Sequence, residues 1–203
     1  MVLGALKLNI EVTDREFDKI YPYSIRRQSK VHWTPVEVAK KAANLLVDRP
    51  GIKVLDVGAG VGKFCLVGSA TTRGVFTGVE QRKYLVQVST SILNRYGLSN
   101  VEVIHANILT IDFQQYDAFY FYYPFMENIL IDQRIDNTTT LSLERYKTYI
   151  HYVHKQLLKM PNGTKVVTYC SNGLKIPLSY HKQESYMDGL LDLWIKNSGY
   201  DSN

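Results

Sequence analysis

A glycine-rich loop is the feature of this sequence with the clearest chemistry. Three glycines stand at alternate positions in the segment Asp56–Gly62 (DVGAGVG), which overlaps the end of the β-branched run Ile52–Val57. Glycine adopts positive φ and lets a ligand approach the main chain closely, whereas larger residues obstruct that approach. Loops of this kind lie at the carboxyl ends of parallel strands, where ligands bind. The pattern therefore predicts a ligand-binding loop.

Spacing separates three nucleotide-binding motifs that contain such a loop. A dinucleotide fingerprint, G-x-G-x-x-G, that starts at Gly58 requires glycine at position 63, where the sequence has Lys63. A phosphate-binding P-loop requires glycine at Val57 and a hydroxyl at Phe64. The remaining pattern is D-x-G-x-G-x-G, and the segment VLDVGAGVGKF resembles the first motif of class I S-adenosylmethionine-dependent methyltransferases.

Two further polar positions follow later strands at the separations this family uses. Glu80 ends the apolar run Val75–Val79, and a carboxylate at a strand tip accepts hydrogen bonds from both ribose hydroxyls. After the third strand, the resemblance implies an aspartate that holds the adenine amino group, and here the residue is Asn107. We expect its side-chain oxygen to accept the same bond with less charge assistance, and the Ile108 N–H to face a nitrogen of the adenine ring. Glycine loop, acid and amide together predict an adenosyl site.

The resemblance implies S-adenosyl-L-methionine as the cofactor and covers the chain from about Thr34 to Phe125. It implies that the stretch His32–Pro35 folds over the methionine end of the cofactor, although Thr34 is also a suitable helix cap. The expected cofactor-binding residues are Trp33, Thr34, Asp56, Gly58, Ala59, Gly60, Glu80, Gln81, Asn107 and Ile108.

The acceptor side of the site is expected at the end of the aromatic strand Ala118–Tyr122. Methyltransferases that act on adenine carry an asparagine or aspartate there, followed by two prolines and an aromatic residue. This chain has Tyr122-Tyr123-Pro124-Phe125, which keeps one proline and the terminal aromatic but lacks the polar residue. We therefore expect Tyr123 to face the acceptor as the candidate catalytic residue, with Phe119 and Phe121 in the core. The acceptor, whether small molecule, protein or nucleic acid, stays unidentified.

Strands that alternate with helices must position these residues. A capping box at Thr34 and Glu37 predicts a helix to about Asp48, closed by Pro50-Gly51. The further predicted strands are Ile52–Val57, Val75–Val79, Val101–His105, Ala118–Tyr122, Lys165–Cys170 and Leu190–Ile195, and the further predicted helices are Val61–Ala70, Arg82–Tyr96 and Leu141–Met160.

This alternation predicts an α/β fold with right-handed βαβ units. With the resemblance, it indicates a mostly parallel, seven-stranded Rossmann-like sheet with helices on both faces and an antiparallel C-terminal strand. A short polar link is expected between the last two strands, and residues 128–140 match no element. We expect one methyltransferase domain over residues 1–203, with 1–33 as a lid or cap and 34–203 as the core.

Composition narrows the class of protein. The longest apolar stretch is too short to span a membrane, and neither a signal peptide nor a disulfide framework is indicated, so we expect a cytoplasmic protein. A net charge of +5 favours an anionic partner and keeps open a nonenzymatic module that binds the adenosyl cofactor or nucleic acid. His151 and His154 share a helical face but lack a third ligand, so no metal site is expected.

Overall fold

Seven strands form one mixed sheet in the computed structural model, which describes residues 1–171 and 173–197. Their order is β3-β2-β1-β4-β5-β7-β6, and every neighbouring pair from β3 to β5 is parallel. Strand β7 runs antiparallel to both of its neighbours, β5 and β6. The strands are β1 Lys53–Val57, β2 Val75–Glu80, β3 Val101–His105, β4 Ala118–Tyr122, β5 Lys165–Tyr169, β6 Tyr180–Tyr186 and β7 Leu191–Lys196. The expected seven-stranded, mostly parallel Rossmann-like sheet is confirmed.

Eight α-helices accompany the sheet in the described part of the chain. They are α1 Val2–Lys7, α2 Asp14–Phe17, α3 Tyr23–Arg26, α4 Ser29–His32, α5 Val36–Leu46, α6 Lys63–Thr71, α7 Lys83–Tyr96 and α8 Leu143–Leu158. Short 3₁₀ turns cover Asp18–Ile20, Ile108–Thr110, Phe113–Gln115, Met126–Asn128 and Ile131–Gln133. None of the described helices is long and apolar enough to cross a bilayer.

Alternate residues of the strands feed two separate apolar clusters, as the pleat of a sheet requires. Tyr120 packs into a cluster with α1, α5 and α6, while Phe119 and Phe121 pack into another with α8. All three rings are fully buried, which confirms the two phenylalanines as core residues. Helices cover both faces of the central strands. These strands are therefore uncovered at their ends, where a ligand can reach them.

The N-terminal segment contains the helices α1 to α4, although the sequence pattern predicted no helix before position 34. Helices α1 to α4 are short, so they carry too little periodicity to be recognised. A buried lysine, Lys63 at the start of α6, fixes this segment through ion pairs to Asp14 at 2.6 Å and Asp18 at 2.7 Å. The residue that breaks the dinucleotide fingerprint therefore attaches the N-terminal segment to the helix that follows the glycine loop.

The capping box predicted at Thr34 is wrong. Helix α5 begins at Val36 after Pro35 and has no cap from its own neighbouring side chains. Instead, the Thr34 hydroxyl lies 3.2 Å from the hydroxyl of Tyr120, and the carboxylate of Asp14 accepts from the Val36 N–H at 2.9 Å. A contact from a residue 22 positions away replaced the local one, which sequence spacing cannot reveal.

The predicted connection between the last two strands is also wrong. We expected a short polar link there, but the segment between β5 and β7 contains strand β6. Most of β6 is exposed, with polar residues on both faces, so it lacks the apolar alternation that identifies a half-buried strand. Strand β5 ends at Tyr169, one residue earlier than predicted, and helix α8 begins at Leu143 after the capping hydroxyl of Ser142.

Candidate functional site

A cavity of about 340 Å³ opens where the carboxyl ends of β1, β2, β3 and β4 meet. This volume lies in the range of small-molecule sites. Eight of the predicted site residues line the cavity together, namely Trp33, Gly58, Gly60, Glu80, Gln81, Asn107, Ile108 and Tyr123. The parallel strands bring these residues together although they are spread over ninety positions of the sequence.

The glycine loop forms one wall of the cavity through main-chain atoms. Gly58 and Gly60 have φ of 79° and 55°, and the Gly58 N–H donates to the Val79 carbonyl at 3.0 Å. A side chain at Gly60 would begin 2.4 Å from the Trp33 ring, whereas a side chain at Gly58 would meet no protein atom within 4 Å. The loop is thus closed by an indole at one position and open at another, and a ligand has room against the bare main chain.

Glu80 connects the glycine loop to the second strand. Its Oε2 accepts from the Gly60 N–H at 3.1 Å, and its Oε1 accepts from the Arg82 N–H at 2.8 Å. Burial raises the pKa of the Glu80 carboxyl, while the two N–H donors and the Arg82 charge oppose that rise. Each carboxylate oxygen has a second acceptor position, so the side chain retains capacity for two hydroxyl donors.

Asn107 is held in a fixed orientation at the end of β3. Its Oδ1 accepts from the Leu109 N–H at 3.0 Å and caps the 3₁₀ turn, and its Nδ2 donates to the Tyr149 hydroxyl at 3.1 Å. Tyr149 belongs to α8 and also lines the cavity. The Asn107 side chain therefore stabilises the local structure in addition to the adenine contact that the resemblance implies. One of the two acceptor positions of its oxygen is already used by the Leu109 N–H.

Three of the expected cofactor residues lie outside the lining of the cavity. Thr34 is buried against Tyr120, and Ala59 packs with apolar side chains from α7 and β3. The Asp56 carboxylate accepts from the thiol of Cys65 at 3.5 Å, and burial raises its pKa to about 7. These residues support the walls of the cavity from behind.

The acceptor side is a strained turn after β4. Tyr123 and Phe125 both adopt left-handed backbone conformations, with φ of 41° and 64°, and the Tyr123 side chain stays 45% exposed at the mouth of the cavity. The ring of the preceding Tyr122 packs at a tilt against the Tyr169 ring, with centroids 5.1 Å apart, and its hydroxyl donates to the Val31 carbonyl at 3.2 Å. Aromatic packing fixes this turn.

Sequence reasoning missed a buried arginine, Arg82, which lines the cavity and pairs with acidic residues from the segment after β4. The Arg82 guanidinium is 4% exposed and forms ion pairs with Glu127 at 2.7 Å and Asp136 at 3.1 Å. Its third carboxylate neighbour is Glu80 at 3.9 Å. Glu127 follows the turn after β4, Asp136 lies within residues 128–140, which matched no element, and no local spacing connects either acid to position 82.

His32 belongs to the stretch predicted to fold over the cofactor but was not named as a binding residue, and it also lines the cavity. Burial lowers the pKa of its imidazole, so the neutral form is favoured near neutral pH. Within the described residues, no group of three or more His, Cys, Asp or Glu side chains could hold a metal ion.

The fold and the cavity define a Rossmann-like methyltransferase, the class that the sequence motifs indicated. Residues 48–189 match the methyltransferase domain family, which is more than half of the chain, and the protein belongs to that family. This match confirms the identification as a class I S-adenosylmethionine-dependent methyltransferase. No curated protein sequence matches the chain.

Solved structures of low sequence identity share the fold. TrmN from Thermus thermophilus is 15% identical with a TM-score of 0.59, over 83% of this chain and 50% of that one. The putative methyltransferase yhhF from Escherichia coli is 15% identical with a TM-score of 0.56, over 80% and 86%. An RNA methyltransferase from Salinibacter ruber, solved with S-adenosyl-L-homocysteine, is 13% identical with a TM-score of 0.51, over 90% and 96%. The chain thus spans half the length of TrmN.

Proposed function

We propose that this protein transfers the methyl group of S-adenosylmethionine to an acceptor that enters the cavity beside Tyr123. The observation that carries the proposal is the convergence of Gly58, Gly60, Glu80 and Asn107 with Tyr123 on one cavity. A cofactor site alone would not require the turn after β4 to open into the same space. Methyl transfer requires cofactor and acceptor in one enclosure, because the reaction is an in-line displacement.

The cofactor roles follow from the contacts on each wall. Gly58 leaves the main chain accessible, and Glu80 offers acceptor positions for the ribose hydroxyls. Asn107 and the Ile108 N–H face the adenine edge, with Gln81 beside them. Trp33 closes the loop at Gly60 next to the methionine end. When bound, S-adenosylmethionine supplies an electrophilic methyl group on a sulfonium.

The remaining side chains exclude water and present the acceptor. Aromatic rings at Tyr122, Tyr123, Phe125 and Tyr149 provide apolar walls, and such faces also suit a positively charged sulfonium. We assign to Tyr123 the contact with the acceptor, because its ring is half-exposed at the mouth. Segment 1–33 then acts as a cap of a single domain, since Lys30 to Trp33 form part of the lining.

Calorimetric titration with S-adenosyl-L-homocysteine tests the cofactor site. Glu80→Gln removes a charge-assisted acceptor and should raise Kd roughly tenfold, which is about 1.4 kcal/mol. Asp56→Asn is the matched control, because it also replaces a buried carboxyl group by an amide near a strand end but lies outside the cavity lining. Its Kd should stay within about twofold of wild type. Equal losses in both variants, or none in either, would contradict the assignment of Glu80.

Turnover is tested by release of S-adenosyl-L-homocysteine with panels of RNA, protein and metabolite acceptors. The alternative is a nonenzymatic module that only binds the cofactor, and the lack of a polar residue at Tyr122-Tyr123 favours it. Tight cofactor binding without turnover on any panel would support the module. We further propose a cytoplasmic location, because Cys65 and Cys170 are both free thiols.

A further inference from the structure

A patch of unpaired basic residues borders the acceptor side of the cavity. It consists of Arg26, Arg27 and Lys30, on and between α3 and α4, and we call it the basic patch. All three side chains are exposed. Over the described ranges 1–171 and 173–197, none of them has a carboxylate within ion-pair distance, in contrast to the arginine at position 82. Their charge is therefore available to a partner.

The basic patch contains an aromatic platform. The guanidinium carbons of Arg26 and Arg27 lie 5.8 and 6.0 Å from the centroid of the Tyr23 ring, which is 68% exposed. These distances are at the outer limit of a cation–π contact, which uses none of the N–H donors, so each guanidinium keeps its fork for an anion. Phosphate is the anion whose geometry that fork matches in two-point contacts.

The basic patch reaches the cavity at Lys30, one of its three residues, and Tyr123 lines the same cavity. Lys30 itself lines the cavity, and the Tyr122 hydroxyl binds the carbonyl of the adjacent Val31 at 3.2 Å. The centroid of the Tyr123 ring lies 5.6 Å from that of the Tyr122 ring. A chain of phosphates on the patch would therefore pass beside a half-exposed aromatic ring at the entrance to the cavity.

We infer that the acceptor is single-stranded RNA, whose phosphates contact the basic patch while one unpaired base stacks on Tyr123 and enters the cavity. This inference rests on the proposed methyl transfer and names its substrate class. Alternating phosphate and base contacts require cationic and aromatic surfaces side by side, which the patch and Tyr123 supply. An unpaired base enters without the cost of opening a duplex, which favours single-stranded RNA over double-stranded nucleic acid.

Fluorescence anisotropy with a labelled 12-nucleotide single-stranded RNA tests the inference without relying on turnover. The double variant Arg26→Glu/Arg27→Glu should lose roughly 10- to 100-fold in affinity, and its salt dependence should flatten by about 1.4 in log–log slope if two phosphate contacts disappear. The matched control is Arg73→Glu/Arg95→Glu, which makes the same change in net charge. These two arginines precede β2 and β3, at the amino-terminal ends of the strands and away from the cavity. The control should stay within about threefold of wild type.

Further variants and ligands separate stacking from charge. Tyr123→Phe should bind as wild type does, and Tyr123→Ala should bind several-fold more weakly, because stacking needs only a ring. A duplex of the same sequence, and single-stranded DNA, should both bind more weakly than the RNA. Equal binding of the duplex, equal binding of DNA, or equal losses in the two charge-reversal variants would each overturn the inference.

Calorimetry with S-adenosyl-L-homocysteine distinguishes this inference from the proposed function. The Arg26→Glu/Arg27→Glu variant should bind that ligand as wild type does, which also shows that it is folded. A wild-type protein that binds the cofactor product but no RNA would reject RNA as acceptor and leave methyl transfer standing. Failure to bind the cofactor product would reject the proposed function itself.

Discussion

The buried carboxyl of Asp56 should make the stability of the protein depend on pH in a defined way. It is 4% exposed, its described hydrogen-bond partner is the weakly donating Cys65 thiol, and Glu80 adds a like charge nearby. Burial raises its pKa from an ordinary 3.8 to about 7. Three powers of ten in proton affinity correspond to about 4 kcal/mol, which is the cost of the ionised form in the folded protein.

The sign of the effect follows from where the proton is held. Between pH 3.8 and about 7 the folded protein retains a proton on Asp56 that the unfolded chain has released. The folded state therefore binds more protons, and this group lowers the free energy of unfolding as pH rises through that window. Above about pH 7 both states are ionised, and the contribution is constant. Asp56→Asn removes the titrating group and keeps an acceptor for Cys65.

Urea unfolding of wild type and Asp56→Asn at pH 5, 6, 7 and 8 measures the effect. The free energy of unfolding of the variant minus that of wild type should increase by roughly 2.5 kcal/mol from pH 5 to pH 8. Glu37→Gln on the exposed side of α5 is the control, and its difference from wild type should be the same at all four pH values. A constant difference for Asp56→Asn as well would refute the argument that its ionisation is penalised by burial.

Three further substitutions test the packing around the cavity. Gly60→Ala places a methyl group against the Trp33 ring, so it should cost about 2–4 kcal/mol in urea unfolding and weaken binding of S-adenosyl-L-homocysteine. Gly97→Ala, also at positive φ but in open space, should cost about 1 kcal/mol and leave binding unchanged, and equal costs would contradict the clash. Thr34→Val should cost about 1–2 kcal/mol without changing cofactor affinity, and a weakened affinity would return Thr34 to the site. Lys63→Met leaves the buried Asp18 carboxylate without its ion pair, so it should cost roughly 3–5 kcal/mol and expose the N-terminal segment to limited proteolysis, whereas unchanged protease resistance would show that the ion pairs do not secure it.

The cofactor side of the site was accessible from sequence because it depends on strand order. Parallel strands that alternate with helices place every strand end on one edge, so Gly58, Glu80 and Asn107 had to converge once β1, β2 and β3 were recognised. Their roles in binding stay predictions, but their juxtaposition follows from the register of the sheet.

The remaining features depend on contacts between segments far apart in the chain. Thr34 matched a local capping rule, yet a hydroxyl 86 positions away became its partner. In the sequence, Arg82 is an ordinary arginine that precedes a helix. Only folding brings Glu127 and Asp136 within ion-pair distance of it. Strand β6 was not predicted, because a mostly exposed edge strand needs no apolar alternation. It is defined by its hydrogen-bonded pairing with β7, which the sequence pattern does not show.

The turn after β4 shows why the acceptor cannot be identified from the motif alone. Two residues without the conformational freedom of glycine, Tyr123 and Phe125, hold left-handed backbone conformations that cost about 1–2 kcal/mol each. Such conformations persist where the surrounding packing enforces them, and here the Tyr122 ring and its bond to Val31 do so. The turn is thus shaped by aromatic rings and lacks the asparagine or aspartate of the adenine-methyltransferase motif with which the sequence was compared. We therefore expect polar contacts to the acceptor from main-chain groups of the turn or from polar side chains that line the cavity, such as Glu127, and the proposed contact with the basic patch would align the rest of the acceptor.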